Sequence, residues 1–99
     1  MEIHVHAAHV KIDASGVEAA VARPLERFAE RLTRVEVYLR DVNANKGGID
    51  KHCLLEARPR GLDPVTAEHQ AGNPLDAVTG AISKLERVLE HRFGRLGER

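Results

Sequence analysis

Two sets of cations recur at helical spacing. Arg23, Arg27, Arg31 and Arg34 stand four, four and three residues apart, and Lys84, Arg87, His91 and Arg95 repeat the three- and four-residue steps. On a helix such steps place side chains on one face. A face of guanidinium and ammonium groups suits phosphate oxygens, because each contact releases counterions condensed on a nucleic-acid backbone. Glu18, Glu26 and Glu30 fall on the face beside the first set. The second set lies opposite an apolar stripe on the helical wheel, so two helices side by side are expected to present one basic surface. The plainer reading of both sets is a solvated face with pairs such as Glu30 and Arg34, each worth only about 0.2–0.5 kcal/mol.

Other candidate chemistry is thinner. His4, His6 and His9 crowd the first residues; His4 and His6 would share a strand face, and imidazole suits zinc or copper. Two histidines on a strand and a third three residues on do not make a ligand set, and an exposed strand face explains them, so no metal site is assigned. His52 and Cys53 are adjacent, so on a strand they point to opposite faces and form no catalytic pair. A thiol in apolar surroundings is inert. Lys46-Gly47-Gly48 lacks the spacing of a phosphate loop and leads into no helix. No Ser/His/Asp arrangement or carboxylate pair stands out. The sequence gives no positive sign of an enzyme, a cofactor or a small-molecule substrate.

These residues need elements to hold them. Ile3, Val5 and Ala7 alternate with His4, His6 and Ala8, and Val10 and Ile12 carry the alternation on, which predicts a first strand. Ser15 and Glu18 have capping-box spacing, and Val17, Val21, Leu25, Phe28 and Leu32 form one stripe of a helix expected over 15–33. Pro24 inside it predicts a kink or a late start. Val35, Val37 and Leu39 mark a second strand, Cys53, Leu55 and Ala57 a third, and Val65, Ala67 and His69 a short fourth; turn residues fill 43–50 and 59–64. Asn73 then caps a helix with Pro74 at its first position. Its stripe is Leu75, Val78, Ile82, Leu85, Leu89, Phe93 and Leu96, with fraying near Gly94 and Gly97. The order β-α-β-β-β-α predicts an α+β fold, a four-stranded sheet with two helices packed on one face.

Composition bounds the rest. The 99 residues suit one domain. No apolar run is long enough to cross a bilayer, and without a charged-then-apolar leader no secretory signal is expected. One cysteine makes no internal disulfide, so a reducing, cytoplasmic setting is expected. Fifteen Lys+Arg balance fifteen Asp+Glu, which argues against a general polycation. The zero is a sum of unlike regions: residues 84–99 and residues 40–60 each hold five Lys/Arg against three acids, while 61–83 hold three acids and no Lys or Arg. The excess over 40–60 comes from Arg40, Lys46, Lys51, Arg58 and Arg60. Aromatics are 3% with no Trp, which argues against a single-strand binder that stacks bases on aromatic platforms.

The β-α-β-β-β-α order, the strand Val35-Glu36-Val37-Tyr38-Leu39 and the helix segment Ser83-Lys84-Leu85-Glu86-Arg87-Val88-Leu89 resemble the ribosome hibernation-promoting factor family, also called ribosome-associated inhibitor or sigma-54 modulation protein. The turn Lys46-Gly47-Gly48-Ile49-Asp50-Lys51-His52-Cys53 is similar to one branch of it, and the likeness covers nearly the whole chain. The resemblance implies a bacterial protein that binds the small ribosomal subunit where messenger and transfer RNA sit and silences translation under stress. It implies basic residues on both helices against ribosomal RNA phosphates: Lys84, Arg87, His91, Arg95 and Arg23 match family positions. With their neighbours, the candidate RNA-binding residues are Arg23, Arg27, Arg31, Lys46, Lys51, Lys84, Arg87, His91 and Arg95. It also implies a short form that ends without the C-terminal extension by which long members dimerise ribosomes, and a monomer is expected. The chain departs from the family at Glu26, where relatives often carry lysine, at Pro24, at His91 and in Leu75-Asp76-Ala77-Val78-Thr79.

The leading expectation is therefore a non-catalytic ribosome-binding module that occludes the decoding channel. A double-stranded RNA binder, which needs few aromatics, and a protein-interaction or regulatory domain whose basic stripe serves solubility stay open beside it.

Overall fold

Alternation along β2 (Leu32–Asp41) sends Val35, Val37 and Leu39 to one side, each at most 1% exposed, and Tyr38 and Arg40 to the other, where they are exposed. The computed structural model describes residues 1–42 and 50–97, with side chains as far as residue 94. β1 (Glu2–Ala8) lies parallel to β2 with Val5 opposite Val37 and His6 opposite Tyr38. β3 (Lys51–Pro59) lies antiparallel on the other side of β2, Leu55 opposite Val37, and β4 (Val65–Ala71) is antiparallel to β3, Ala67 opposite Leu55. The sheet is mixed, in the order β1-β2-β3-β4.

A parallel pair needs a crossover, and α1 (Ala14–Leu25) supplies it. β1 is shorter than the alternation suggests. It stops at Ala8, and His9 turns the chain at φ 59°, a left-handed conformation that ends strand geometry. Ile12 packs against the core from the connecting segment instead. The first helix is also shorter than its stripe implies. Pro24 has no N–H to donate into the helical ladder, the Glu26 N–H donates to the Arg23 carbonyl three residues back, and a tighter 3₁₀ turn runs over Glu26–Arg31. Thr33 and the fully buried Leu32 therefore belong to β2. The helix starts at Ala14 with Asp13 as its cap residue, so Ser15 lies inside the first turn and the capping box with Glu18 does not form.

α2 (Pro74–Gly97) begins as its sequence indicates. The Asp76 N–H donates to Asn73 Oδ1 at 2.9 Å, and Asn73 Nδ2 donates back to Asp76 Oδ2 at 2.8 Å. Gly94 lies within the helix and does not end it. Val17, Val21 and Leu25 of α1, Phe28 of the 3₁₀ turn, and Val78, Leu85 and Leu89 of α2 close over the apolar side of the sheet as one cluster. Both helices cover that face, and among the described residues no helix lies on the opposite face of the sheet.

Gly80 sets how near α2 lies to β4. A Cβ built there would overlap the His69 ring, which projects from β4 toward the helix. Gly80→Ala is expected to lose about 1–3 kcal/mol to crowding, less the roughly 1 kcal/mol that alanine gains over glycine within a helix. Adding His69→Ala should restore most of the loss. Urea unfolding of the two single variants and the double variant reads this directly, and a Gly80→Ala protein as stable as the parent would refute the close approach.

Candidate nucleic-acid interface

α2 carries its charges on two flanks. Glu86 and Glu90 face the 3₁₀ turn, where Arg27 reaches them both, Nη2 to Glu86 Oε2 at 3.3 Å and Nη1 to Glu90 Oε2 at 3.2 Å. Lys84 lies on the other flank, and its Nζ donates to the backbone carbonyl of Glu68 on β4 at 3.1 Å. Arg87 and His91 are exposed on the arc that Lys84 begins, with no carboxylate partner among the described residues. Arg95 continues the arc in sequence; its backbone is helical, but its side chain lies outside the described residues.

The first set of arginines does not form one face. Arg23 is exposed in the last turn of α1, Arg27 and Arg31 are in the 3₁₀ turn, and Arg34 is on β2. Arg34 Nε sits 2.9 Å from Glu36 Oε2 on the side of the sheet away from the helices. The expected single basic surface across the helix pair is therefore absent among the described residues. Pro24 changes the helical register after Arg23, and the seam between the two elements holds an ion-pair cluster. Such exposed pairs contribute about 0.2–1 kcal/mol each, but they determine which cations remain available.

Arg31 lies over the Phe93 ring at 5.0 Å, as Arg27 lies over Phe28 at 4.3 Å. Beside Arg31 the fold brings Arg60, whose N–H donates to the Arg31 carbonyl and whose Nε donates to that of Glu30, both at 2.9 Å. The two arginines border a notch of about 310 Å³ with Glu30, Leu62 and Phe93. Arg60 is a site residue the sequence did not single out. It comes from the end of β3, and only the meeting of β2 and β3 carries it to Arg31.

Lys51 is committed elsewhere. Its Nζ lies 2.7 Å from Asp50 Oδ1 and 3.3 Å from Asp41 Oδ2, and Val42 donates its N–H to the Asp50 carbonyl at 2.8 Å. The Asp50 and Asp41 carboxylates raise the lysine above its ordinary pKa, and Asp50, 2% exposed, depends on that cation. Lys51 thus closes the base of the β2–β3 connection. Lys46 lies outside the described residues.

Three histidines, His4, His6 and His52, take separate partners on the open side of the sheet. His4 Nε2 lies 3.0 Å from Glu2, His6 Nε2 donates to Glu36 Oε1 at 2.7 Å, and His52 Nε2 lies 2.8 Å from Glu68. Glu36 is the hub: 8% exposed, it accepts from His6 and pairs with Arg34. The His6 hydrogen bond, aided by the charges of His4, Arg34 and His6, holds its pKa below 4.5 against the opposing effect of burial. Cys53 points into the core while His52 points out, and burial pushes the thiol up to about 12.

A model of the family described as sigma 54 modulation protein / S30EA ribosomal protein matches residues 3–96. No curated protein matches the sequence. Among solved structures, the chain is similar to a ribosomal subunit interface protein from Coxiella burnetii, at 15% identity and TM-score 0.75 over 95% of this chain and 99% of that one. It is also similar to the N-terminal domain of Thermus thermophilus Protein Y, at 18% identity and TM-score 0.72 over 92% and 98%. At these identities the likeness is one of fold.

The depressed pKa of Glu36 has a sign that can be checked. A carboxylate held below 4.5 in the folded state stabilises above that value, and the contribution is lost as pH falls through the lowered pKa. Glu36→Gln is expected to unfold at lower urea than the parent at neutral pH, with the gap closing in acid. A gap of equal size at both pH values would show that the loss is not electrostatic.

Proposed function

This chain belongs to the sigma 54 modulation protein / S30EA ribosomal protein family, and on that premise we propose that it is a ribosome hibernation factor that binds small-subunit ribosomal RNA and occludes the channel for messenger and transfer RNA. The family is ribosome-associated. The small-subunit site, the RNA contacts and the occlusion are our reading. The observation that carries it is the division of α2 into an acidic flank closed by Arg27 and a basic arc left open at Lys84, Arg87 and His91.

The mechanism requires no bond to be made or broken. One unit spanning residues 1–99, acting as a monomer, would be held as a wedge by phosphate contacts from Lys84, Arg87 and His91, with Arg23 and the Arg31–Arg60 notch extending the footprint. Arg95 and Lys46 join it on sequence pattern. Arg27 and Lys51, paired internally, contribute less. A ribosome partner places the protein in the cytoplasm, and no helix among the described residues is long and apolar enough to cross a membrane.

Co-sedimentation with small subunits across a salt series tests the proposal. Affinity is expected to fall linearly in log–log form, and Lys84→Glu with Arg87→Glu should flatten the slope by roughly two phosphate contacts, about 0.7–0.9 per contact. Arg27→Ala should weaken binding less than Arg87→Ala does. Wild-type co-sedimentation by the double charge reversal would refute the basic arc, and tight binding to a plain RNA duplex would favour a double-stranded RNA module instead.

A further inference from the structure

The helix side does not use the open face of the sheet. There His6 and Tyr38, opposite each other on β1 and β2, stack with ring centroids 4.8 Å apart and planes 14° apart. His6 is fixed from the neighbouring register by Glu36 at 2.7 Å, so the pair is organised in advance. Tyr38 is 40% exposed, while both phenylalanines of the chain are 7% exposed in the core. One register step on, Arg40 faces Ala8 on one side and His52 on the other. The small alanine leaves a depression of about 410 Å³ bordered by His6, Tyr38, Leu54, Arg40 and His52. Among the described residues its lining contains no carboxylate, whereas it contains one permanent cation and two imidazoles. Arg40 has no carboxylate partner among the described residues; His52 is held by Glu68 at 2.8 Å.

We propose that this face seats one unpaired base of an RNA strand, packed against the His6–Tyr38 ring pair, with the phosphate of that nucleotide on Arg40. Apolar ring faces and Leu54 match a base, which any sequence supplies because every base has a π-face. The unopposed guanidinium matches a phosphate oxygen. Tyr38 and Arg40 point the same way two residues apart on β2, about 6.6 Å along the strand, within the reach from a base to its own phosphate. The depression is shallow and lies on an open sheet, which suits one nucleotide of a passing strand better than an enclosed small molecule. With so few aromatics the seat holds one base and not a row of them. It lies across the sheet from the α2 arc, so it is separate from the proposed phosphate face.

The chain has one tyrosine and no tryptophan, so its intrinsic emission reports Tyr38 alone. Titration of the full chain with a single-stranded adenosine hexamer is expected to quench that emission saturably, and an abasic hexamer should not. Arg40→Ala should weaken the quench about tenfold. By polarisation of the labelled hexamer, Tyr38→Leu should cost about tenfold, within the range of one stacked base, and Tyr38→Phe should bind as the parent does. Lys84→Glu with Arg87→Glu should leave the quench intact, which separates this seat from the ribosome contact. No quench at millimolar hexamer, or an equal quench by the abasic strand, would overturn the proposal. So would loss of the quench on charge reversal of α2, which would move the RNA to the helix side.

Discussion

The parallel pairing of β1 with β2 is the constraint on which the molecule depends. Two parallel neighbours cannot be joined by a hairpin, so the segment between them must cross one face of the sheet, and α1 with its 3₁₀ turn is that crossing. The crossing fixes the side on which apolar residues are buried. It leaves the other side of the sheet open to water. The same pairing sets His6 beside Tyr38 and Ala8 beside Arg40, so the covering of one face and the features of the other have a common origin.

Carboxylates then decide which cations matter. Of the arginines that share helical spacing in the sequence, Arg27 is closed by Glu86 and Glu90, and Arg34 by Glu36, whereas Arg31 lies against an aromatic ring. Lys51 neutralises Asp50 and Asp41 at the foot of a hairpin. Among the described residues only Arg27, Arg34, Lys51 and Arg58 pair with carboxylates, and the cations without such a partner include Lys84 and Arg87 on one flank of α2 and Arg40 across the sheet. This local excess, and not the total, is what a polyanion would meet, because screening confines the field of an exposed charge to about 8 Å at physiological salt.

Much of the fold is legible in the residues. Period-two alternation identified Val35, Val37 and Leu39, and Cys53, Leu55 and Ala57, as core faces, and all six are buried. Asn73 and Pro74 marked the start of α2 because capping and the missing proline N–H are local chemistry. The stripe through Leu32 misled, because a strand residue and a helix residue can both fall on the apolar spacing, and Pro24 decides where one gives way to the other. His9 misled for a similar reason: a single left-handed residue ends β1 without breaking the polar–apolar pattern.

The sequence by itself determined the element order and most of the core residues, since both rest on periodicity within one segment; Leu75, on the apolar stripe of α2, is exposed because it stands in the helix's first turn. Family membership likewise rests on a pattern that runs along the chain. Only the tertiary structure decided that Arg27 meets Glu86 and Glu90, that Arg60 stands beside Arg31, that His69 rests on Gly80 and that His6 stacks on Tyr38. These are contacts between separate segments, set by strand register and helix placement, and no local spacing records which residue of one segment will face which residue of another.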